Sequence, residues 1–187
     1  MSVLQEEATT KLPAAGTWTL DRSHSSVEFV AKHLMVTKVR GYFEDFEGAI
    51  HIGDNALDSW AEATIKTASI TTRDEKRDGH LTSGDFLEIE KFPEMTFKSR
   101  SLKQVEGNSY EANGELTIKG ITKPVVLAVE YNGIGQTPWG NEVAFFSAST
   151  EINREDFGMT WNQALESGGV LVSKKVRIEI EAQATRS

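Results

Sequence analysis

Residues 110–119 read YEANGELTIK. Tyr110, Ala112, Gly114, Leu116 and Ile118 share one parity, and Glu111, Asn113, Glu115, Thr117 and Lys119 share the other. Successive side chains of a strand point to opposite faces. The segment is therefore read as a strand with one face in a core and one in water. Residues 175–182 repeat the pattern, with Val176, Ile178, Ile180 and Ala182 set against Lys175, Arg177, Glu179 and Glu181. Residues 124–132 place Leu127, Val129 and Tyr131 opposite Glu130 and Asn132. The short stretch Lys119-Gly120-Ile121-Thr122 predicts a hairpin between the strands on either side of it.

The same reading predicts strands near 17–21, 25–34, 41–52, 60–67, 94–100 and 142–152, about nine in all, eight of them long. GYFEDFEGAIHI at 41–52 does not alternate cleanly. Phe43 and Phe46 are three apart and Gly48 follows, which predicts a bulge or a strong bend. Only 71–90 reads as helical, with a short helix expected near 73–82. Residues 153–172 are Gly-rich and irregular and read as a long loop. No internal repeat or linker divides the chain. Eight or more antiparallel strands in one domain require a closed barrel or a two-sheet sandwich. A closed eight-stranded barrel has an interior that side chains fill or that holds one small ligand. The expected organisation is a flexible tail over 1–16 and a single domain over 17–185.

The composition excludes several functions. The 187 residues contain no cysteine, which removes disulfides, thiolate metal sites and cysteine nucleophiles. The net charge of -8 argues against nucleic acid or an anionic membrane face as the main partner. The N-terminal residues carry Glu6 and Glu7 where a secretion signal would be apolar. No stretch approaches the roughly 20 apolar residues of a membrane span. A cytoplasmic location is the expectation.

The polar candidates cluster in DRSHSSVEFVAKH at 21–33. His24 and His33 have opposite parity and lie about 30 Å apart on a straight strand, too far to share a metal. His51 and His80 complete no HxH, HxxxH or HExxH spacing, so no metal or cofactor is expected. Asp21, Ser23, His24 and Ser25 suggest a hydrolase triad, but no G-x-S-x-G elbow accompanies them. The plain alternative is a strand corner whose hydroxyls cap backbone donors. RDEKRDGH at 73–80 reads as a solvated helix face, or as Arg73, Arg77 and His80 guarding a barrel mouth. Arg154 among Asn153, Glu155 and Asp156 is a loop ion pair or a contact for a polar head group. Inward parity also collects aromatic residues together with the small Ala61, Ala63, Ala112, Gly114, Ala144 and Ala148. Such faces suit a filled core and an open apolar lumen equally.

Seven short blocks, in order, resemble one family. They are WTLDxxHS at 18–25, FxxKH at 29–33, GYFxxFxG at 41–48, SITTxxxxRDxHL at 69–81, FPEMTF at 92–97, GELTIKGIT at 114–122 and NREDFG at 153–158. From Trp18 to Ala184 the chain resembles the YceI family. The resemblance implies an all-β, antiparallel, eight-stranded lipocalin-like barrel. It also implies non-catalytic binding of a polyisoprenoid or isoprenoid-quinone-like lipid in the lumen. The apolar contacts it suggests are Phe29, Phe43, Phe46, Phe86, Phe92, Phe97 and Leu116, with His33 and Arg154 as polar contacts. A homodimer is compatible with such a barrel. Two competing readings stay open: an enzyme acting on a lipid-like substrate through His24, His33 or Arg73, and a completely filled barrel with a structural or stress role.

Overall fold

The structure, a computed structural model, describes residues 11–187. Eleven strands join into eight courses around a closed antiparallel barrel. β1 (Gly16–Leu20) and β2 (Ser26–His33) run one after the other along β11 (Lys175–Arg186). Leu20 pairs with Ala184, and Ser26 with Glu181. Between them Asp21 caps a 3-10 turn over Arg22–His24 by accepting from the Ser23 amide. β3 (Thr37–Phe43) pairs with β2, while β4 (Phe46–Ile52) pairs with β1, giving a second broken course. β5 (Trp60–Lys66) and β6 (Ile70–Thr71) form a third, interrupted by a 3-10 turn over Thr67–Ser69. β7 (Glu94–Glu106), β8 (Ser109–Ile118), β9 (Ile121–Gln136) and β10 (Glu142–Asn153) follow as hairpin-connected neighbours, and β11 closes the ring on β1.

The breaks explain the irregular sequence of 41–52. Glu44 and Asp45 step out of the sheet, where the Glu44 amide donates to the Ser69 carbonyl and the Asp45 carbonyl accepts from the Lys66 amide. This resets the alternation, so Phe43 and Phe46 are both buried although three residues apart. β8 alternates as the sequence requires, with Tyr110, Ala112, Gly114, Leu116 and Ile118 all buried. Lys119 and Gly120 turn the β8–β9 hairpin with φ of 51° and 71°.

The two ends differ. At one end residues 11–15 run across the opening. The fully buried Trp18 donates from Nε1 to the Ala14 carbonyl (2.9 Å), and the Tyr131 hydroxyl donates to the Lys11 carbonyl (2.6 Å). The expected flexible tail thus includes residues packed against the barrel, and its first ten lie outside the described residues. At the other end α1 (Glu75–Thr82) forms a lid, its N-terminus capped by Asp74. Asp78 Oδ1 accepts from both the amide and the hydroxyl of Thr72, which ties the helix to the strand before it. Below Ser149 and Ala128, β10 and β9 no longer pair. A 3-10 turn over Arg154–Phe157 occupies the wedge, with Phe157 buried.

Candidate functional site: the barrel lumen

The inward faces leave space along the barrel axis. A narrow half of about 210 Å³ lies at the lid end and exposes no polar atom in its wall. A wide half of about 470 Å³ lies toward residues 11–15. Both halves are walled by Leu20, Ala63, Phe97, Leu127 and Ile180, so they meet at one waist. Small ligands occupy roughly 300–1,000 Å³, a range the wide half reaches alone. A completely filled barrel would show no such volume. The small inward residues account for it: Ala61, Ala112, Ala148 and Ala182 wall the wide half. An apolar cavity with no polar partner for water stays dry, so the narrow half is suited to hydrocarbon.

Six of the seven apolar residues expected from the sequence stand on this wall: Phe29, Phe43, Phe46, Phe86, Phe97 and Leu116. Two of these phenyl rings lie flat against the sheet. A Cβ on Gly41 would sit 2.2 Å from the Phe29 ring, and one on Gly114 would sit 2.6 Å from the Phe97 ring. Both glycines are needed so that the rings line the lumen without blocking it. Phe92, the seventh, stands elsewhere. It walls neither half but covers the β8–β9 turn, where a Cβ on Gly120 would lie 3.0 Å from its ring. Phe92 has the opposite parity to Met95 and Phe97, and Pro93 separates it from the strand.

His33, one of the two expected polar contacts, also stands away from the wall. The last pair between β2 and β11 is Val30 with Arg177, so beyond it β2 rises past the rim. His33 is exposed there, bridged through its backbone to Val172, and walls neither half. Arg154 does wall the narrow half and is only 3% exposed. Its guanidinium is turned to the backbone, where Nε donates to Ser173 O (2.9 Å), Nη1 to Met159 O (2.6 Å) and Nη2 to Val172 O (3.3 Å). Burial pushes its pKa below the ordinary arginine value, with Glu155 acting weakly the other way. The arginine gathers three carbonyls of the segment that crosses the barrel end.

Several wall residues had no separate signal in the sequence. Leu81 and Leu87 join Phe86 in plugging the lid end from the irregular stretch around α1, and Met159 and Val172 come from the long loop. In the wide half, Tyr110 is buried, and its hydroxyl has no hydrogen-bond partner among the described residues. Tyr131 stands nearby, its hydroxyl pKa raised chiefly by burial.

The polar clusters of the sequence lie outside the lumen. Ser23 Oγ donates to Asp21 Oδ1 (2.6 Å), and His24 Nδ1 lies 2.7 Å from Asp21 Oδ2. Hydrogen bonds from Ser23 and then His24 hold the Asp21 carboxyl below its ordinary pKa. The aspartate thus accepts from both neighbours and caps the 3-10 turn, as a strand corner requires. None of the three walls either half. Arg77 donates to Thr72 Oγ1 (2.7 Å), and Arg73 lies over the Tyr42 ring (5.7 Å). His80 bonds Asp85 (2.8 Å) and packs edge-on against Trp161. Among the described residues no group of three or more His, Asp or Glu side chains could hold a metal ion.

Comparison with known proteins agrees with this architecture. The model of the YceI-like domain matches residues 18–184. The chain belongs to the YceI-like family. UPF0312 protein SA2479 of Staphylococcus aureus strain N315 is 42% identical over 168 residues, covering 89% of this chain and 95% of that protein. BcnA of Burkholderia cenocepacia superposes with a TM-score of 0.76 at 25% identity, over 89% of this chain and 99% of that one. A polyisoprenoid binding domain from Saccharophagus degradans, implicated in plant cell wall breakdown, superposes with a TM-score of 0.70 over 91% of this chain and 98% of its own. At 14% identity that last likeness is one of fold. The expected eight-stranded antiparallel barrel is borne out, and no helix among the described residues is long and apolar enough to cross a membrane.

Proposed function

We propose that this YceI-like protein binds and carries, without catalysis, a polyisoprenoid or isoprenoid-quinone-like lipid in its lumen. One observation carries the reading: two apolar-walled spaces of about 210 and 470 Å³ meet at a waist inside a closed barrel. The polyisoprenoid binding named for the Saccharophagus degradans domain supports the ligand class. Phe29, Phe43, Phe46, Phe86, Phe97 and Leu116 would grip the chain by burial alone, at about 25 cal/mol per Å². The head group would lie in the wide half, where Tyr110 offers a hydroxyl. The enzymatic reading has little support, because His24, His33 and Arg73 wall neither half, nor do Asp21 and Ser23.

Isothermal titration with prenyl alcohols of increasing length tests this. Each methylene buried contributes about 0.8 kcal/mol, roughly fourfold in affinity. Affinity should climb with length and then level off once the lumen is full. A flat series, or heat released only by head-group analogues, would refute chain burial.

A further inference from the structure

We propose that the β2–β3 hairpin tip is a docking site for an anionic lipid bilayer. Leu34, Met35 and Val36 connect the two strands and are 46%, 53% and 79% exposed. Among the described residues, the other large exposed hydrophobics are Leu12, Leu57, Val105, Val126 and Trp139, each isolated in sequence. Singly exposed hydrophobics are ordinary, whereas a contiguous apolar patch marks a contact. The backbone here gains nothing from these residues. Leu34 and Met35 have φ of 52° and 64°, a region that Asn and Gly occupy readily and that strains a leucine or a methionine. The apolar side chains are therefore kept at a position where turn chemistry disfavours them.

The charges beside the tip point the same way. Lys32 and Lys38 are direct cross-strand partners, both exposed, and neither has an ion-pair partner among the described residues. Like charges placed opposite one another weaken a sheet. Exposed His33 lies between them and the tip, opposite Thr37. The loop that packs against the hairpin contributes Leu171 O to the Leu34 amide, and its Gly169 lies beside Met35. Between Met159 and Ser173 that loop carries a single acid, Glu166. Lys174 is already paired with Glu155, and Arg40 with Glu28 and Glu179.

An apolar tip with a basic collar matches the interface of an anionic bilayer, where the chains take the apolar side chains and the headgroups take the lysines. The net charge of -8 belongs to the whole chain. At physiological ionic strength the Debye length is about 8 Å, so a bilayer touching the tip is governed by the charges near it. Docking there would bring the α1 lid and the dry half of the lumen next to the membrane.

Vesicle flotation of the full chain at physiological ionic strength tests the proposal. The probes are phosphatidylcholine vesicles with and without one-third phosphatidylglycerol. Binding should require the anionic lipid. Lys32→Gln with Lys38→Gln should weaken it about 25-fold, at roughly fivefold per lysine. Leu34→Asn with Met35→Gly should raise the melting temperature by relieving the turn, yet reduce flotation at least tenfold. Absence of flotation, equal flotation with both vesicles, or a tip variant that floats like the parent would overturn the proposal. Concentration-dependent dimerisation lost in the tip variant would overturn it too, and would assign the tip to a second copy of the chain. Prenyl-alcohol titration without vesicles should be unchanged in every variant, which keeps failure of docking distinct from failure of lumen binding.

Discussion

Ala63 at the waist is the position where a small change should separate long ligands from short ones. It walls both halves of the lumen together with Leu20, its cross-strand neighbour Phe97, Leu127 and Ile180. Ala63→Leu adds three carbons there. An apolar cavity of roughly 150 Å³ holds one benzene, so by proportion the narrow half of about 210 Å³ holds roughly eight carbons. At about 0.3 kcal/mol per non-hydrogen atom for a drug-sized ligand, exclusion from that half removes about 2.4 kcal/mol, or roughly 60-fold. The higher figure of about 0.8 kcal/mol per methylene makes this a lower bound. A chain short enough to lie wholly in the wide half should lose little. Titration calorimetry with one short and one long prenyl alcohol reads both effects, and a thermal melt checks that overpacking has not cost more than about 1–3 kcal/mol. Equal losses for both chains, or none for the long one, would show that the waist is not on the binding path.

Tyr110→Phe should weaken an amphiphile with an acceptor head group by about 0.5–1.5 kcal/mol, or roughly 2- to 12-fold, and leave a plain hydrocarbon unaffected; competition between the two ligand types measures this. Arg154→Met removes three hydrogen bonds from a charged donor and should cost about 3 kcal/mol or more of stability, read as a lower urea midpoint. Unchanged stability with lost ligand affinity would instead make the guanidinium a head-group contact. Glu179 is held below the ordinary carboxylate pKa, first by Arg177 and then by Arg40. A depressed carboxyl stabilises the fold above its unfolded pKa and loses that contribution as pH falls through the folded one. The urea midpoint of Glu179→Gln should therefore lie below the parent's at neutral pH and converge with it in acid, and added salt should shrink the gap.

The alternation of β8 and β11 and the Lys119-Gly120 turn were legible because they depend on local chemistry alone. The lumen wall was legible where strand parity holds, and it failed at the ends. His33 keeps the inward parity of Phe29 and Ala31, but parity carries no information on where the neighbouring strand stops, and β11 leaves β2 at Val30. Phe92 lies beyond Pro93 and outside the alternation of β7. Residues 37–40 were not read as strand because the turn before them, Leu34-Met35-Val36, holds none of the residues that announce a turn. The waist and the place of the Tyr110 hydroxyl in the wide half depend on which side chains meet across the barrel, and single-strand patterns cannot express that. The break at Asp21–Ser25 was legible as a strand corner whose hydroxyls cap backbone donors, and the break at Glu44–Asp45 only as disturbed spacing around Phe43 and Phe46.

The central claim is that the lumen holds lipid. Native mass spectrometry of the freshly purified protein, with organic extraction of whatever is bound, tests it most directly. The account predicts a co-purifying apolar lipid near one per chain, displaced by added long prenyl alcohol. A protein that is ligand-free as isolated, and that stays so after incubation with prenyl alcohols across the length series, would contradict it.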